Sequence, residues 1–183
     1  MKVKENIFND IFEGTTYVWP GTYMIRMEVL KELYPNMQIY PSRSGQNLQF
    51  LMMAAYKSKS GFVDIPLMKY VIRKESLSHF SSGNVLEKEI KAMLGYKDIR
   101  LHLIDEFMPQ DEKDLWKKRI DILYARTFIF LGCKHKNRKL AKENYDKLKV
   151  LLNGSRDLNT EIAYFKLMNP VKYFILRGLR KLK

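Results

Sequence analysis

The pattern of apolar and polar residues changes character near residue 84. Beyond Asn84 the chain runs in long charged segments whose apolar residues recur at helical spacing, so we predict four successive helices. Pro109 and two glycine-containing turns separate these segments. The predicted helices occupy residues 84–108, 111–133, 138–154 and 158–183.

Residues 1–83 contain shorter elements. The stretch 15–27 is rich in β-branched and aromatic residues, which predicts a short strand after a Pro-Gly turn. Two further strands are predicted at 62–65 and 67–73, where Pro66 separates them and the second piece alternates.

Two helices are also predicted in this first part. One is short and covers residues 26–34, and the other starts after Ser44 as its N-cap and ends before Gly61. The predicted fold class is α+β and predominantly helical. A small mixed strand and helix part, residues 1–83, precedes a bundle of about four helices, residues 84–183.

Three carboxamides stand together at the start of the second of these helices: Gln46, Asn47 and Gln49. Ordinary capping explains a single amide at such a place. Three amides suit the hydroxyls of a sugar, because each amide both donates and accepts, and the helix start adds partial positive charge. Helix capping and binding of a polar acceptor both remain open from the pattern alone.

A second polar group follows the last predicted strand. Residues 73–79 hold two cations, two hydroxyls and an imidazole. A solvated loop explains them, and so does a contact with a diphosphate and its metal ion. In the second interpretation Arg73 engages phosphate oxygens and His79 ligates a divalent ion.

The charge and composition of the chain indicate which classes of partner it could bind. The 183 residues carry a net charge of +13, which attracts polyanions or an anionic membrane face. No acid follows Glu161, and the remaining residues interleave cations with apolar side chains. Such a tail is typical of a basic amphipathic helix lying on an anionic bilayer, with a last core helix as the alternative. The charge also allows nucleic-acid binding, which is a third and weaker option because no recognised nucleic-acid module is present.

Several common chemistries lack their signatures. The sequence has no phosphate-loop, dinucleotide, zinc-protease or hydrolase-elbow motif. The single cysteine, Cys133, excludes an internal disulfide, and with His135 it is too little for a zinc site.

Three stretches occur in a recognisable order: WPGTYMIR at 19–26, SRSGQNLQFLM at 42–52 and DIPLMKYVIRKESLSH at 64–79. In this order they resemble the acceptor-side half of bacterial family-2 glycosyltransferases. The resemblance covers about residues 15–80. It implies a GT-A fold in which an N-terminal half holds a nucleotide sugar, a D-x-D motif binds Mg or Mn, and the acceptor attacks the anomeric carbon with inversion.

The same resemblance assigns roles to residues. Gly21 and Arg26 fall at the acceptor-side strand, and Gln46 and Asn47 stand where the family has an acidic pair. Gln49 joins these residues as an acceptor contact. Four residues fall in the loop that closes over the diphosphate: Arg73, Ser76, Ser78 and His79, the last also as a metal ligand.

Two departures from the family limit the expected activity. No D-x-D occurs in the sequence, so the nucleotide-binding N-terminal half, with its nucleotide sugar and divalent ion, is missing, and no cofactor is expected for this chain alone. An amide cannot act as a general base, so Gln46 and Asn47 cannot replace the acidic pair. Asp64 is the nearest carboxylate in sequence and the one candidate for a catalytic residue.

The leading hypothesis is therefore the C-terminal portion of a family-2-like glycosyltransferase. It would bind a saccharide or lipid-linked acceptor for cell-surface glycan synthesis, in the bacterial cytoplasm at the inner membrane face. By itself it is expected to be inactive. The alternative is a non-catalytic basic helical module that binds an anionic membrane or a partner protein.

Overall fold

The computed structural model describes residues 6–16, 21–42, 44–63, 65–66, 69, 71 and 84–181, with side chains up to residue 175 in the last helix. These residues form eight helices in the order α1 (Phe8–Glu13), α2 (Met27–Leu33), α3 (Gln46–Lys57), α4 (Val85–Phe107), α5 (Gln110–Lys134), α6 (Arg138–Leu152), α7 (Leu158–Met168) and α8 (Pro170–Lys181). The predominantly helical character predicted from the sequence is confirmed.

The predicted strands are not seen in the part of the chain that the structure describes. Residues 21–26, 62 and 63 have no strand conformation, and most of the segment 64–83 lies outside the described residues. A strand is stable only when a neighbouring strand takes up its backbone hydrogen bonds. The described residues contain helices and no strand, so a segment such as 21–26 has no neighbouring strand to pair with.

The bundle predicted for residues 84–183 also differs from the prediction in one respect. Instead of one helix over 158–183, the described residues form two, α7 (Leu158–Met168) and α8 (Pro170–Lys181). Pro170 separates them, because proline has no backbone N–H and disfavours a helical conformation at the residue before it. Asn169 accordingly leaves the helical region, with φ −132° and ψ 61°.

The chain divides into two compact units, residues 1–113 and 114–183. Helix α4 belongs to the first unit, whereas the sequence pattern grouped it with the later helices. In the first unit α3 is central and packs against α1, α2 and α4. Helix α3 is apolar on most of its circumference, and its buried residues are Leu48, Gln49, Leu51, Met52, Met53, Ala54 and Ala55.

A buried arginine joins α4 to the end of α1. Arg100 is 7% exposed, and its guanidinium donates to the carbonyl oxygens of Phe12 (2.9 Å) and Ile11 (3.4 Å). These carbonyls lie in the last turn of α1, where carbonyl groups lack the usual helical partners, and the Ile11 oxygen also accepts from the Gly14 N–H at 3.3 Å. Arg100 therefore caps α1 from outside the helix.

The second unit has a small core of Ala125, Ile129 and Leu148, with partly buried apolar residues around it. The rings of Tyr145 and Tyr164 stack at 4.0 Å and 8°. Among the described helices of the whole chain, none combines the length and the apolar character that crossing a membrane requires.

Candidate functional site at the start of α3

The start of α3 is built on a glycine, and the predicted N-cap Ser44 is wrong. The N-cap is Gly45, which has the left-handed conformation (φ 62°, ψ 32°), and no side chain caps the helix. A Cβ at this position would lie 2.9 Å from Ile99 Cδ1 and 3.1 Å from the Tyr96 ring. Both the backbone angle and the contact with α4 therefore favour glycine at residue 45.

The loop before Gly45 also lies close to α4. A Cβ at Gly95 would lie 2.6 Å from Ser44 Oγ and 2.9 Å from Ser44 Cβ. The absence of a side chain at residue 95 thus makes room for the loop. Two glycines, one on each side of the contact, set how closely the start of α3 approaches α4.

The three predicted carboxamides have three different surroundings. Gln46 is exposed, and its Nε2 donates to the Ser42 carbonyl oxygen at 2.9 Å. Asn47 is partly buried, and its Oδ1 accepts a hydrogen bond of 2.8 Å from the Tyr23 hydroxyl. Gln49 is fully buried. Only the first two therefore present side chains to solvent.

Gln49 holds the backbone of Tyr40 at both of its polar groups. The Tyr40 N–H donates to Gln49 Oε1 at 3.0 Å, and Gln49 Nε2 donates to the Tyr40 carbonyl oxygen at 3.0 Å. This paired arrangement imitates the hydrogen bonds between two strands. The main-chain oxygen of Gln49 also accepts from the Tyr34 hydroxyl at 3.0 Å. The geometry gives Gln49 a structural role, and its predicted contact with an acceptor stays a prediction.

The side chain of Tyr40 continues this connection onto α4. Its hydroxyl donates to Asp98 Oδ2 at 3.0 Å, and its ring stacks on His102 at 4.1 Å and 22°. The hydrogen bond to the Asp98 carboxylate raises the pKa of Tyr40. His102 in turn lies 2.8 Å from Glu106 through Nε2 and Oε2.

The sequence analysis missed these neighbours of the carboxamides. Asp98, His102 and Glu106 follow one another at intervals of four, which places them on one face of α4 and was a readable signal. Tyr23 and Tyr40 lie in connecting segments without any periodic pattern. Burial raises the pKa of Tyr23, whose hydroxyl donates to Asn47 Oδ1.

The remaining predicted site residues divide into two groups. Arg26 is exposed and is the N-cap of α2, and Gly21 has a left-handed φ of 85°. The other group lies outside the described residues and consists of Asp64, Arg73, Ser76, Ser78 and His79. Within the described residues, no group of three or more potential metal ligands comes together.

The arrangement at the start of α3 is suited to hydrogen bonding with a polar ligand. A carboxamide offers two donor hydrogens and an acceptor oxygen, and the bond from Gln46 to Ser42 uses one donor hydrogen. The Tyr23 bond holds Asn47 Oδ1 in place. The site therefore combines one adaptable amide with one amide of fixed orientation.

Comparison with known proteins adds no relative. No protein-family model matches the chain, and neither a curated protein nor a solved structure does.

Proposed function

We propose that this chain is the acceptor-side portion of a family-2-like glycosyltransferase and that the start of α3 binds a saccharide acceptor. The observation that carries the proposal is the exposed Gln46 beside the oriented Asn47, both at the front of a buried helix. The order of the three sequence stretches that contain Arg26, these amides and His79 supports the same function.

The surface of the first unit supports the idea that this portion works with a further part. Four apolar residues between positions 62 and 71 are more than half exposed: Phe62, Val63, Ile65 and Val71. Several exposed apolar residues in one segment commonly mark a contact with another domain or chain. A nucleotide-binding half that covers this segment would also supply the D-x-D motif and the divalent ion. The complete enzyme would then transfer sugar, and the chain alone would not.

The amides themselves provide the test of acceptor binding. Side-chain NH₂ groups give separate signals in ¹⁵N–¹H spectra, so the chain is titrated with the methyl glycosides of glucose, galactose, N-acetylglucosamine and glucuronic acid. We expect at least one glycoside to shift the signals of Gln46 and Asn47. Gln110 is the matched control, because it is also an exposed glutamine at the first position of a helix.

The variants make the assignment specific. Gln46→Ala should raise the Kd for the glycoside, measured from the Asn47 signal, about tenfold, because a hydrogen bond to a ligand is worth about 1.4 kcal/mol. Gln110→Ala should leave the response unchanged. Equal effects of the two variants, or a folded chain on which no glycoside moves the Asn47 signal, would refute acceptor binding at this helix start.

A specific observation also favours a second candidate, the basic helical module. Helix α8 exposes apolar residues in a part of the sequence that has cations and no acids. Binding of an anionic membrane is compatible with either function.

A further inference from the structure

Helix α8 carries three apolar side chains on one exposed face. Val171 is 72% exposed, and Phe174 and Ile175 are each 59% exposed. Their spacing of three and four residues places them on the same side of the helix. Single exposed apolar residues are common, but a group on one helical face marks a surface that contacts a membrane or another protein.

The opposite side of α8 is the one held by the protein. Tyr173, two positions after Val171, is partly buried, and the Lys166 ammonium of α7 lies 5.7 Å from the centre of its ring. Two positions along a helix correspond to about 200° of rotation. Val171 and Ile175 therefore point away from the side on which Tyr173 is packed, and Phe174 lies at the edge between the two sides, with its ring centre 5.8 Å from that of Tyr173.

Charge identifies what the exposed face would meet. From Asn169 to the end, the sequence contains five cations and no acid: Lys172, Arg177, Arg180, Lys181 and Lys183. Lys172, next to Val171, is exposed. Cations on a helix with an apolar face are complementary to a bilayer with anionic headgroups. Nucleic acid would use the cations but would gain little from three aliphatic and aromatic side chains in this arrangement.

We propose that α8 is a peripheral membrane-docking helix for anionic lipid. Val171, Phe174 and Ile175 enter the boundary between headgroups and acyl chains, while the cations bind the lipid phosphates. This inference goes beyond acceptor binding and is independent of it, because the surface belongs to the second unit and the α3 site belongs to the first.

Flotation of the full chain with vesicles tests the proposal. Phosphatidylcholine vesicles are compared with vesicles that also contain phosphatidylglycerol. We expect the chain to float with the anionic vesicles only, and less so as salt is raised, because salt screens the attraction between lipid and cations. Equal binding to both kinds of vesicle, or to neither, would overturn the proposal.

A pair of triple variants separates the α8 face from general hydrophobicity. Val171→Ser, Phe174→Ser and Ile175→Ser together should lower the partition coefficient about tenfold or more. The control replaces the same three residue types at nearly the same exposure in the first unit: Val71 (72%), Phe62 (58%) and Ile65 (61%). This control triple should bind as the wild type does.

Two outcomes of the pair of triple variants contradict the proposal. Unchanged flotation of the α8 triple would show that the apolar face is not used, and an equal loss in both triples would show that the face has no special role.

Competition with a single-stranded oligonucleotide tests whether the phosphates that the cations bind belong to a nucleic acid instead of a lipid. If the α8 triple binds vesicles weakly but the oligonucleotide as tightly as the wild type does, the apolar face acts on lipid as proposed. If both affinities fall together, the proposal fails.

Discussion

Two helix starts, one in each unit, are built by different means. Helix α3 begins at Gly45 without any side-chain cap, and close packing against α4 holds it. Helix α7 begins at Asp157, whose carboxylate accepts from the Thr160 N–H at 3.2 Å and the Thr160 hydroxyl at 3.0 Å and pairs with Arg126. The start of α3 therefore depends on close packing, and the start of α7 depends on a charged side chain.

This difference bears on which start is available for a ligand. Both carboxylate oxygens of the side chain that caps α7 accept hydrogen bonds from within the protein. At α3 the capping position has no side chain, so the polar side chains of the first turn are not required for capping. Gln46 and Asn47 are bonded to neighbouring segments and remain at least partly exposed. The start of α3 is for this reason the better candidate for recognition.

The largest expected effect comes from Gln49→Ala, which removes the hydrogen bonds that join α3 to the segment of Tyr40. The substitution leaves the N–H and the carbonyl of Tyr40 without their partner, and each lost partner costs about 1–3 kcal/mol. We expect the free energy of unfolding of the first unit to fall by about 3 kcal/mol, as measured by urea denaturation. Gln46→Ala is the control and should change it by less than about 0.5 kcal/mol. Similar losses for both variants would contradict the assignment of Gln49 as a structural residue.

The next effect tests whether close packing, and not only backbone angle, requires glycine at residue 45. Gly14 also has a left-handed φ, 72°, but a Cβ there would meet nothing within 4 Å. Gly14→Ala should therefore cost only the strain of this backbone angle, about 1 kcal/mol. Gly45→Ala should cost about 2–3 kcal/mol, since the added carbon also contacts Ile99. Equal costs in urea denaturation would show that α4 yields to the added methyl group.

The sequence predicted the long helices well because their apolar spacing extends over several turns. Helices α4, α5 and α6 lie within a few residues of their predicted bounds. Helix α1 was missed, although Phe8, Ile11 and Phe12 have helical spacing, because six residues give too short a pattern. The expected strands depended on pairing partners, and residue alternation contains no information on whether a partner exists.

The sequence predicted that three amides stand at the start of a helix, and they do stand at the start of α3, but the surroundings of each amide were beyond the sequence. Helix α3 is buried around most of its circumference, so its apolar pattern does not define an outward face. Gln49 points inward because the backbone of Tyr40, in a segment without periodicity, lies where it can accept and donate. Only tertiary structure brings these two segments together.

The smallest effect concerns the charge-dependent start of α7. Burial raises the pKa of Asp157, but the Thr160 hydrogen bonds and the Arg126 guanidinium outweigh it, so the pKa lies below its ordinary value of 3.8. A carboxyl whose pKa is lower in the folded state stabilises that state above the unfolded pKa, and this contribution disappears as the pH falls through the folded pKa.

The variant Asp157→Asn keeps a capping oxygen at the start of α7 but loses the charge. We therefore expect the free energy of unfolding of the wild type to exceed that of this variant by about 1 kcal/mol at pH 7 in urea denaturation, and the difference to shrink as the pH falls below 3.8 and through the lowered pKa of Asp157. Asp146→Asn is the surface control, because the pair of Asp146 with Lys149 is more than half exposed, and it should change stability by less than about 0.5 kcal/mol. If the difference between wild type and Asp157→Asn is the same at pH 7 and pH 2.5, the start of α7 does not depend on charge, and the contrast with α3 is lost.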